Sequence, residues 1–267
     1  MFRCVSEDIY KLDIPCGYGF TSVFALKYGN EWLVIDSGMS DNDVENFIIP
    51  AATELGVTPK WLICSHLHDD HYGGFKRLSE YYKKAKVASF GEKEIPGVKN
   101  KHRISNGELF IGRYKAISLK GHTDDGIGIL DTKENILLSF DCMQFFGIGS
   151  NGVNLIDINE YLITLQKVSD MKLHGIIASH SYDLYGAEAF GKVEVSNYIN
   201  GCYNAVNCIL NTIHTCVDIG GMEIKTRDKI EKIAEKIVEK YNNDNKNLPP
   251  ASIWTFTNII LNLLQTN

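Results

Sequence analysis

The sequence predicts an α/β protein whose chemistry sits at the ends of its strands. Short apolar runs of strand length alternate with helical periodicity as far as residue 182. Five groups of metal- or proton-handling residues stand just past predicted strands: Asp36, His66 to His71, His122, Asp141 and His180. That is where functional groups gather in sheets covered by helices. From about Ala187 onward only helical patterns remain.

Taken in order, Thr21 to Lys27 and Glu31 to Ile35 read as strands joined by the turn Tyr28-Gly29-Asn30. The second strand ends in Asp36-Ser37-Gly38. Residues 41–55 read as a helix capped by Ser40 or Asp41 and stopped by Gly56, with Pro50 predicting a kink inside it. Leu62 to Ser65 is a buried strand, followed by a helix from about His71 to Lys84 and a strand over Lys86 to Ser89. Residues 91–107 read as a loop of unusual length. Further strands are predicted at Leu109 to Ile111, Tyr114 to Leu119, Gly128 to Leu130, Ile136 to Ser139 and Gly175 to Ala178, with a helix over Asn159 to Met171.

The last part predicts helices at roughly 187–215, 227–241 and 250–264. In the middle one, Ile230, Ile233, Ile237, Val238 and Tyr241 make one apolar stripe among Lys and Glu. Pro249-Pro250 introduces a final helix that is apolar on most faces. With no repeat and no low-complexity linker, the organisation expected is a core of residues 1–188 and a helical extension, 189–267, packed on the core or at a dimer interface.

Composition narrows the class. At 267 residues and 44% apolar, the chain can bury a large core. A formal charge of −6 argues against a nucleic-acid surface. Seven cysteines include no Cys-x-x-Cys pair, the charged start does not resemble a signal peptide, and no apolar run of about 18 residues predicts a membrane span. The expectation is a reduced, cytoplasmic protein acting on a small molecule, with neither nucleic acid nor membrane as partner.

The stretch Leu62-Ile63-Cys64-Ser65-His66-Leu67-His68-Asp69-Asp70-His71-Tyr72-Gly73-Gly74 carries the sharpest signal. Three histidines and two aspartates fall within six positions. His66 and His68, two apart on extended backbone, point the same way and can grip one metal ion. Asp70 and His71 follow where the chain turns into a helix and aim at a second point nearby. A core does not need so many metal-capable groups in so small a space. By contrast His102, His174 and His214 stand alone and receive no role. Cys202, Cys208 and Cys216 lack the spacing of a metal knuckle and read as small buried groups. Strand register favours Asp141 over its neighbour Cys142 as a ligand. Lys120 and Arg103 read as solvated surface. Tyr18, Tyr72, Phe145, Phe146, Asn154 and Tyr182 lie near the expected mouth.

His66-x-His68-x-Asp70-His71, with Asp36 upstream, His122 in Gly-His-Thr, Asp141 after a strand and His180 after the last strand, resembles the metallo-β-lactamase superfamily over residues 20–182. The resemblance implies an αββα four-layer sandwich bearing a C-terminal helical extension. It implies that His66, His68 and His122 bind one divalent metal, that Asp70, His71 and His180 bind a second, and that Asp141 bridges them. Asp36 would lie behind the site and orient a ligand, and Asp70 would also handle a proton. Imidazole with carboxylate suits Zn2+, with Fe or Mn as alternatives. A hydroxide held between the ions would attack the substrate.

Departures from individual branches narrow the chemistry. Nucleases of the superfamily carry a large insertion between the Asp141 and His180 positions, where 38 residues stand here. Diiron members usually have a carboxylate at the His68 position. Quorum-quenching lactonases usually place a tyrosine where Gln144 stands, and thioesterases of the glyoxalase-II type commonly follow Gly-His-Thr with Pro-Gly rather than Asp124-Asp125. The reading is a dinuclear hydrolase of a small thioester, ester or lactone. Its alternatives are a phosphodiesterase and a metal-retaining sensor. The tail would cover the metal mouth or form a homodimer.

Overall fold

The computed structural model describes residues 1–17, 19–99, 101–144, 153–180, 186–217, 226–244 and 252–266. Of the residues expected near the mouth, Tyr18, Phe145, Phe146 and Tyr182 lie outside these. The chain forms two compact units, one of residues 1–118 and 125–140, the other of residues 119–124 and 141–267.

The first unit is built on a seven-stranded sheet in chain order: β1 (Arg3–Ser6), β2 (Ile9–Cys16), β3 (Gly19–Tyr28), β4 (Glu31–Ile35), β5 (Pro59–Cys64), β6 (Lys86–Ser89) and β7 (His102–Arg103). β1 to β4 pair antiparallel and β4 to β7 parallel. Period-two alternation decides what each face buries. Val23, Ala25, Val34, Leu62, Cys64 and Val87 point to one face and pack with Val44, Ile48, Ala52, Phe75 and Leu78 of the covering helices. Phe24, Leu26, Leu33, Ile35, Ile63 and Ala88, equally buried, occupy the alternate positions.

That other face meets a second sheet, which in this unit runs β11 (Ile136–Phe140), β10 (Ile127–Asp131), β9 (Tyr114–Ser118), β8 (Leu109–Phe110), all antiparallel. Phe24 stacks edge-on against Phe140 at 5.6 Å, and Trp61 against Phe110 at 5.2 Å. Tyr114 donates from its hydroxyl to the Lys27 carbonyl at 2.9 Å.

The covering helices follow the sequence with one change. Ser40 caps α1 (Asp41–Asp43) through its hydroxyl, and Gly56 ends α2 (Ile49–Leu55) at φ 73°. Between them Val44–Ile48 widens into a π-helical turn, so Pro50 falls in the first turn of a new helix, where no N–H is missed. The expected kink is thus taken up as a change of helix type. The single helix predicted from His71 to Lys84 is two, α3 (Asp69–Tyr72) and α4 (Phe75–Tyr81), broken at Gly73-Gly74. A Cβ on Gly73 would lie 2.0 Å from the Met39 carbonyl oxygen, and one on Gly74 2.5 Å from that of Ser37. Only glycine lets the two loops approach so closely.

The second unit carries the antiparallel pair β12 (Gly175–Ala178) and β13 (Glu188–Phe190) with α5 (Ile158–Ser169), α6 (Lys192–Cys216), α7 (Arg227–Asp244) and α8 (Ile253–Thr266). Asp157 caps α5 through hydrogen bonds from the Asn159 and Glu160 amides. α8 buries Phe256, Ile259 and Ile260, and Tyr241 of α7 meets Phe256 edge-on at 5.6 Å. Among the described residues no helix is long and apolar enough to cross a membrane.

Candidate metal centre

In the first unit, Asp36 organises the histidine loop. It ends β4 at φ 67°, a left-handed conformation that aspartate tolerates better than most residues. Its fully buried carboxylate receives three hydrogen bonds: from the Ser65 amide and the Ser65 hydroxyl, each at 2.8 Å, and from His71 Nδ1 at 2.8 Å. Burial pushes the Asp36 carboxyl above its ordinary range, while the His71 ring and these hydrogen bonds pull it down. Because the Ser65 hydroxyl donates to Asp36, it accepts from His66 Nδ1, 3.0 Å away. The network therefore assigns the proton of both rings to Nδ1 and leaves each Nε2 with its lone pair, the form a metal requires.

The donor atoms lie at ligand spacing. His66 Nε2 and His68 Nδ1 are 3.0 Å apart, and His71 Nε2 and Asp70 Oδ2 are 3.5 Å apart. Two donors each about 2.0–2.2 Å from a tetrahedral ion stand about 3.3–3.6 Å from one another. Backbone bonds hold this geometry: Thr21 donates to the Asp70 carbonyl, and the Ser37 amide and hydroxyl both donate to that of His71. Asp125 accepts from the Leu67 amide, between the two histidines, at 3.1 Å.

In the second unit, Asp141 Oδ2 lies 3.2 Å from His180 Nε2 and 3.6 Å from His122 Nε2, the same spacing again. All three side chains are buried. His122 Nδ1 donates to the Asn154 carbonyl at 2.6 Å, which fixes its tautomer too. The Asn154 amide is held by the Gln144 side-chain oxygen at 2.9 Å. Gln144 is held in turn by the Tyr161 hydroxyl, which accepts from its amide and donates to its carbonyl. Gly121, at φ 120°, brings the loop so near α5 that a Cβ there would sit 2.5 Å from the Tyr161 backbone.

Each unit thus gathers its own share of the sequence-predicted residues: Asp36, His66, His68, Asp70 and His71 in the first, His122, Asp141 and His180 in the second. The donor set, imidazole and carboxylate with the tautomers of His66, His71 and His122 fixed by their partners, fits divalent metal ions. Ser65, Asp125, Asn154, Gln144 and Tyr161 complete the hydrogen-bond scaffold. Of these, the sequence reading placed only Asn154 near the mouth, and used Gln144 and Asp125 merely as departures from relatives. Position beside a ligand was the available signal: Ser65 precedes His66, and Asp125 stands three residues after His122.

A fold of two sheets with helices, bearing histidine and aspartate donors at strand ends, defines a protein of the metal-binding α/β-sandwich class. Residues 16–97 match the metallo-beta-lactamase superfamily model. The chain is similar along 98% of its length to a metallo-beta-lactamase family protein of Thermus thermophilus, with TM-score 0.70, 14% identity and 95% of that chain covered. It is similar over 77% of its length to the DIM-1 metallo-beta-lactamase, with TM-score 0.60, 16% identity and 97% of that chain covered. Residues 16–97 are thus similar to that superfamily in sequence, and the likeness to the solved structures is one of fold.

Among curated proteins it is 25% identical over 169 residues to the beta-lactamase-like protein 2 homolog of Caenorhabditis elegans (60% of this chain, 55% of that one). It is 27% identical over 154 residues to an atrochrysone carboxyl ACP thioesterase of Aspergillus fumigatus (57% and 47%). It is 29% identical over 156 residues to a hydroxyacylglutathione hydrolase of Francisella tularensis subsp. novicida (56% and 58%). The chain spans about half the length of the curated relatives it matches.

Proposed function

We propose that this protein is a metal-dependent hydrolase of small acyl substrates, thioesters or esters and lactones, working with two divalent metal ions, Zn2+ by preference. The observation that carries the reading is the repeated 3.0–3.6 Å spacing of histidine and aspartate donors within each unit. His66, His68 and His122 would hold one ion, Asp70, His71 and His180 the other, and Asp141 would bridge. Such ions supply an acidified water at neutral pH and polarise the acyl carbonyl.

The protein's own groups do the rest. Asp36 and Asn154 keep Nε2 of His71 and His122 available by holding their Nδ1 protons. The Asp70 carboxylate, with 19% of its side chain exposed, is the acid–base group placed to pass a proton to solvent or to the leaving group. The names of two relatives, a thioesterase and a hydroxyacylglutathione hydrolase, support acyl over phosphoryl transfer. Cys4, Cys64, Cys202, Cys208 and Cys216 are thiols, which supports a reducing compartment. Ile253 and Trp254, 41% and 39% exposed at the start of α8, support pairing of two chains through the tail.

The test is metal analysis of purified protein followed by turnover of chromogenic thioester, lactone, β-lactam and bis-aryl phosphodiester substrates. Two bound divalent ions with thioester or lactone turnover, abolished by His68→Ala, is the expected result. Metal-free protein, turnover of the phosphodiester alone, or activity surviving His68→Ala overturns the reading.

A further inference from the structure

We propose that a basic cleft in the first unit seats the phosphate groups of a thiol carrier, so that the substrate is an acyl thioester of the coenzyme A type. This rests on the hydrolase reading and names its substrate class.

The cleft concentrates charge of one sign in a protein of the other. Residues 83–103 hold seven cations against two carboxylates, while the remaining 246 residues hold 20 cations against 31. The structure folds this segment around two hollows of about 810 and 590 Å3 that share Val98, Lys99 and Lys101 as lining. Some of the cations are already engaged: Arg103 bonds Glu92 at 2.9 Å, His102 bonds Glu108 at 2.7 Å, and Lys101 donates to the Lys93 carbonyl. Lys83, Lys84, Lys86 and Lys99 line the smaller hollow; the Lys86 ammonium lies 5.2 Å over the Trp61 ring, and among the described residues none of the four makes an ion pair. Like charges crowded into one cleft repel unless an anion is bound between them.

The chemistry of that anion follows from the count. A single carboxylate is matched by one or two cations, whereas four ammonium groups match a compact, multiply charged phosphate ester. Lysine binds phosphate as a point charge and needs no planar fork. A long nucleic acid would have to extend past this segment over a chain whose other residues hold 20 cations against 31 carboxylates. A short charged terminus would not.

The cleft is also placed to serve the histidine loop. Its upper end is lined by Gly91, where a Cβ would sit 3.2 Å from Asp125 Cβ, and Asp125 holds the Leu67 amide between His66 and His68. From there β6 leads away to the lysines. Ser89 pairs with Cys64 beside that loop and Lys86 pairs with Trp61, three residues down the strand or about 10 Å. A carrier with its thioester at the histidines and its phosphates at the lysines needs a flexible arm of that reach between them.

The experiment is calorimetric titration of full-length, metal-loaded protein with free coenzyme A at low ionic strength, set beside pantetheine, which lacks the phosphates. Coenzyme A should bind, pantetheine should bind far more weakly, and the double variant Lys86→Gln/Lys99→Gln should lose about fivefold to tenfold in affinity for coenzyme A. The same variant should raise the ratio of KM for an acyl-coenzyme A to KM for the matching N-acetylcysteamine thioester by a similar factor. No binding of coenzyme A, equal affinity in wild type and variant, or tighter binding of a short oligonucleotide overturns the proposal. Binding of free coenzyme A requires no turnover. A protein that binds it through these lysines yet hydrolyses no thioester would therefore sink the hydrolase reading while upholding the cleft's assignment.

Discussion

His71 Nδ1 lies 2.8 Å from Asp36 Oδ2, and neither side chain is more than 1% exposed. A buried carboxylate behind an imidazole holds the ring's orientation and raises its basicity toward a metal. Asp36→Asn is the informative change, because asparagine accepts the left-handed backbone at φ 67° and preserves the shape of the site. The expected result is a metal affinity lowered about tenfold to a hundredfold, measured by competition with a chromogenic chelator. Unchanged affinity would show that the pair serves only the fold.

Much of this arrangement was legible in the sequence, and the reason is chemical. Histidines two apart after an apolar run, and single aspartates after others, are rare outside metal sites, so the ligand candidates announced themselves. Helix boundaries at Ser40, Gly56 and Asn159 also read well, since caps and stops are local signals. β1 and β2 did not. β2 carries Pro15, a poor strand residue, and a buried lysine, Lys11, whose ammonium lies 2.8 Å from Asp13 and 4.6 Å over the Phe20 ring. The supports of His122 were invisible for a different reason. Tyr161, Gln144 and Asn154 act through backbone groups brought together by tertiary structure, and no spacing in the chain announces that.

Arg113 shows how far such tertiary pairing can reach. Its guanidinium makes two bonds to the Asp131 carboxylate, at 2.8 and 2.6 Å, and a third to Asp8 at 2.6 Å, with Arg113 and Asp131 both buried. It ties the turn between β1 and β2 to the second sheet of the first unit. Removing one partner leaves a buried charge uncompensated. Arg113→Met should therefore cost about 3–5 kcal/mol in urea unfolding. The double variant Arg113→Met/Asp131→Leu should recover a good part of that loss, whereas two independent costs would simply add.

α8 carries a polar ladder along one helix. Thr255 donates to the Val153 carbonyl, Asn258 to the Leu155 carbonyl at 3.4 Å, and Asn262 accepts from the Ile158 amide at 3.2 Å. All three grip the segment whose Asn154 carbonyl holds His122 Nδ1. Breaking the ladder with Thr255→Val and Asn258→Leu leaves buried carbonyls unsatisfied, at about 1–3 kcal/mol each. Metal affinity should fall along with thermal stability. A variant that loses stability and keeps wild-type metal affinity would mean that the tail braces the fold alone.

Alkaline pH offers a test of the helical tail by itself. Burial pushes the Tyr241 hydroxyl, packed against Phe256, up to about 12. In the unfolded chain a tyrosine titrates near its ordinary value of about 10. The folded-state pKa is therefore the higher one, and the stabilising contribution is complete below pH 10. As pH rises from about 10 toward 12 the unfolded chain sheds this proton while the folded protein keeps it, so stability falls through that window. Tyr114, Tyr161 and Tyr198 are shifted upward by burial as well, so the wild-type protein should lose thermal stability steeply there. Tyr241→Phe keeps the ring and removes the titrating group, and should flatten the fall by on the order of 2 kcal/mol between pH 9 and 12. Thermal melts of the two proteins across that range decide it: parallel curves would mean that the Tyr241 hydroxyl reaches solvent in the folded protein.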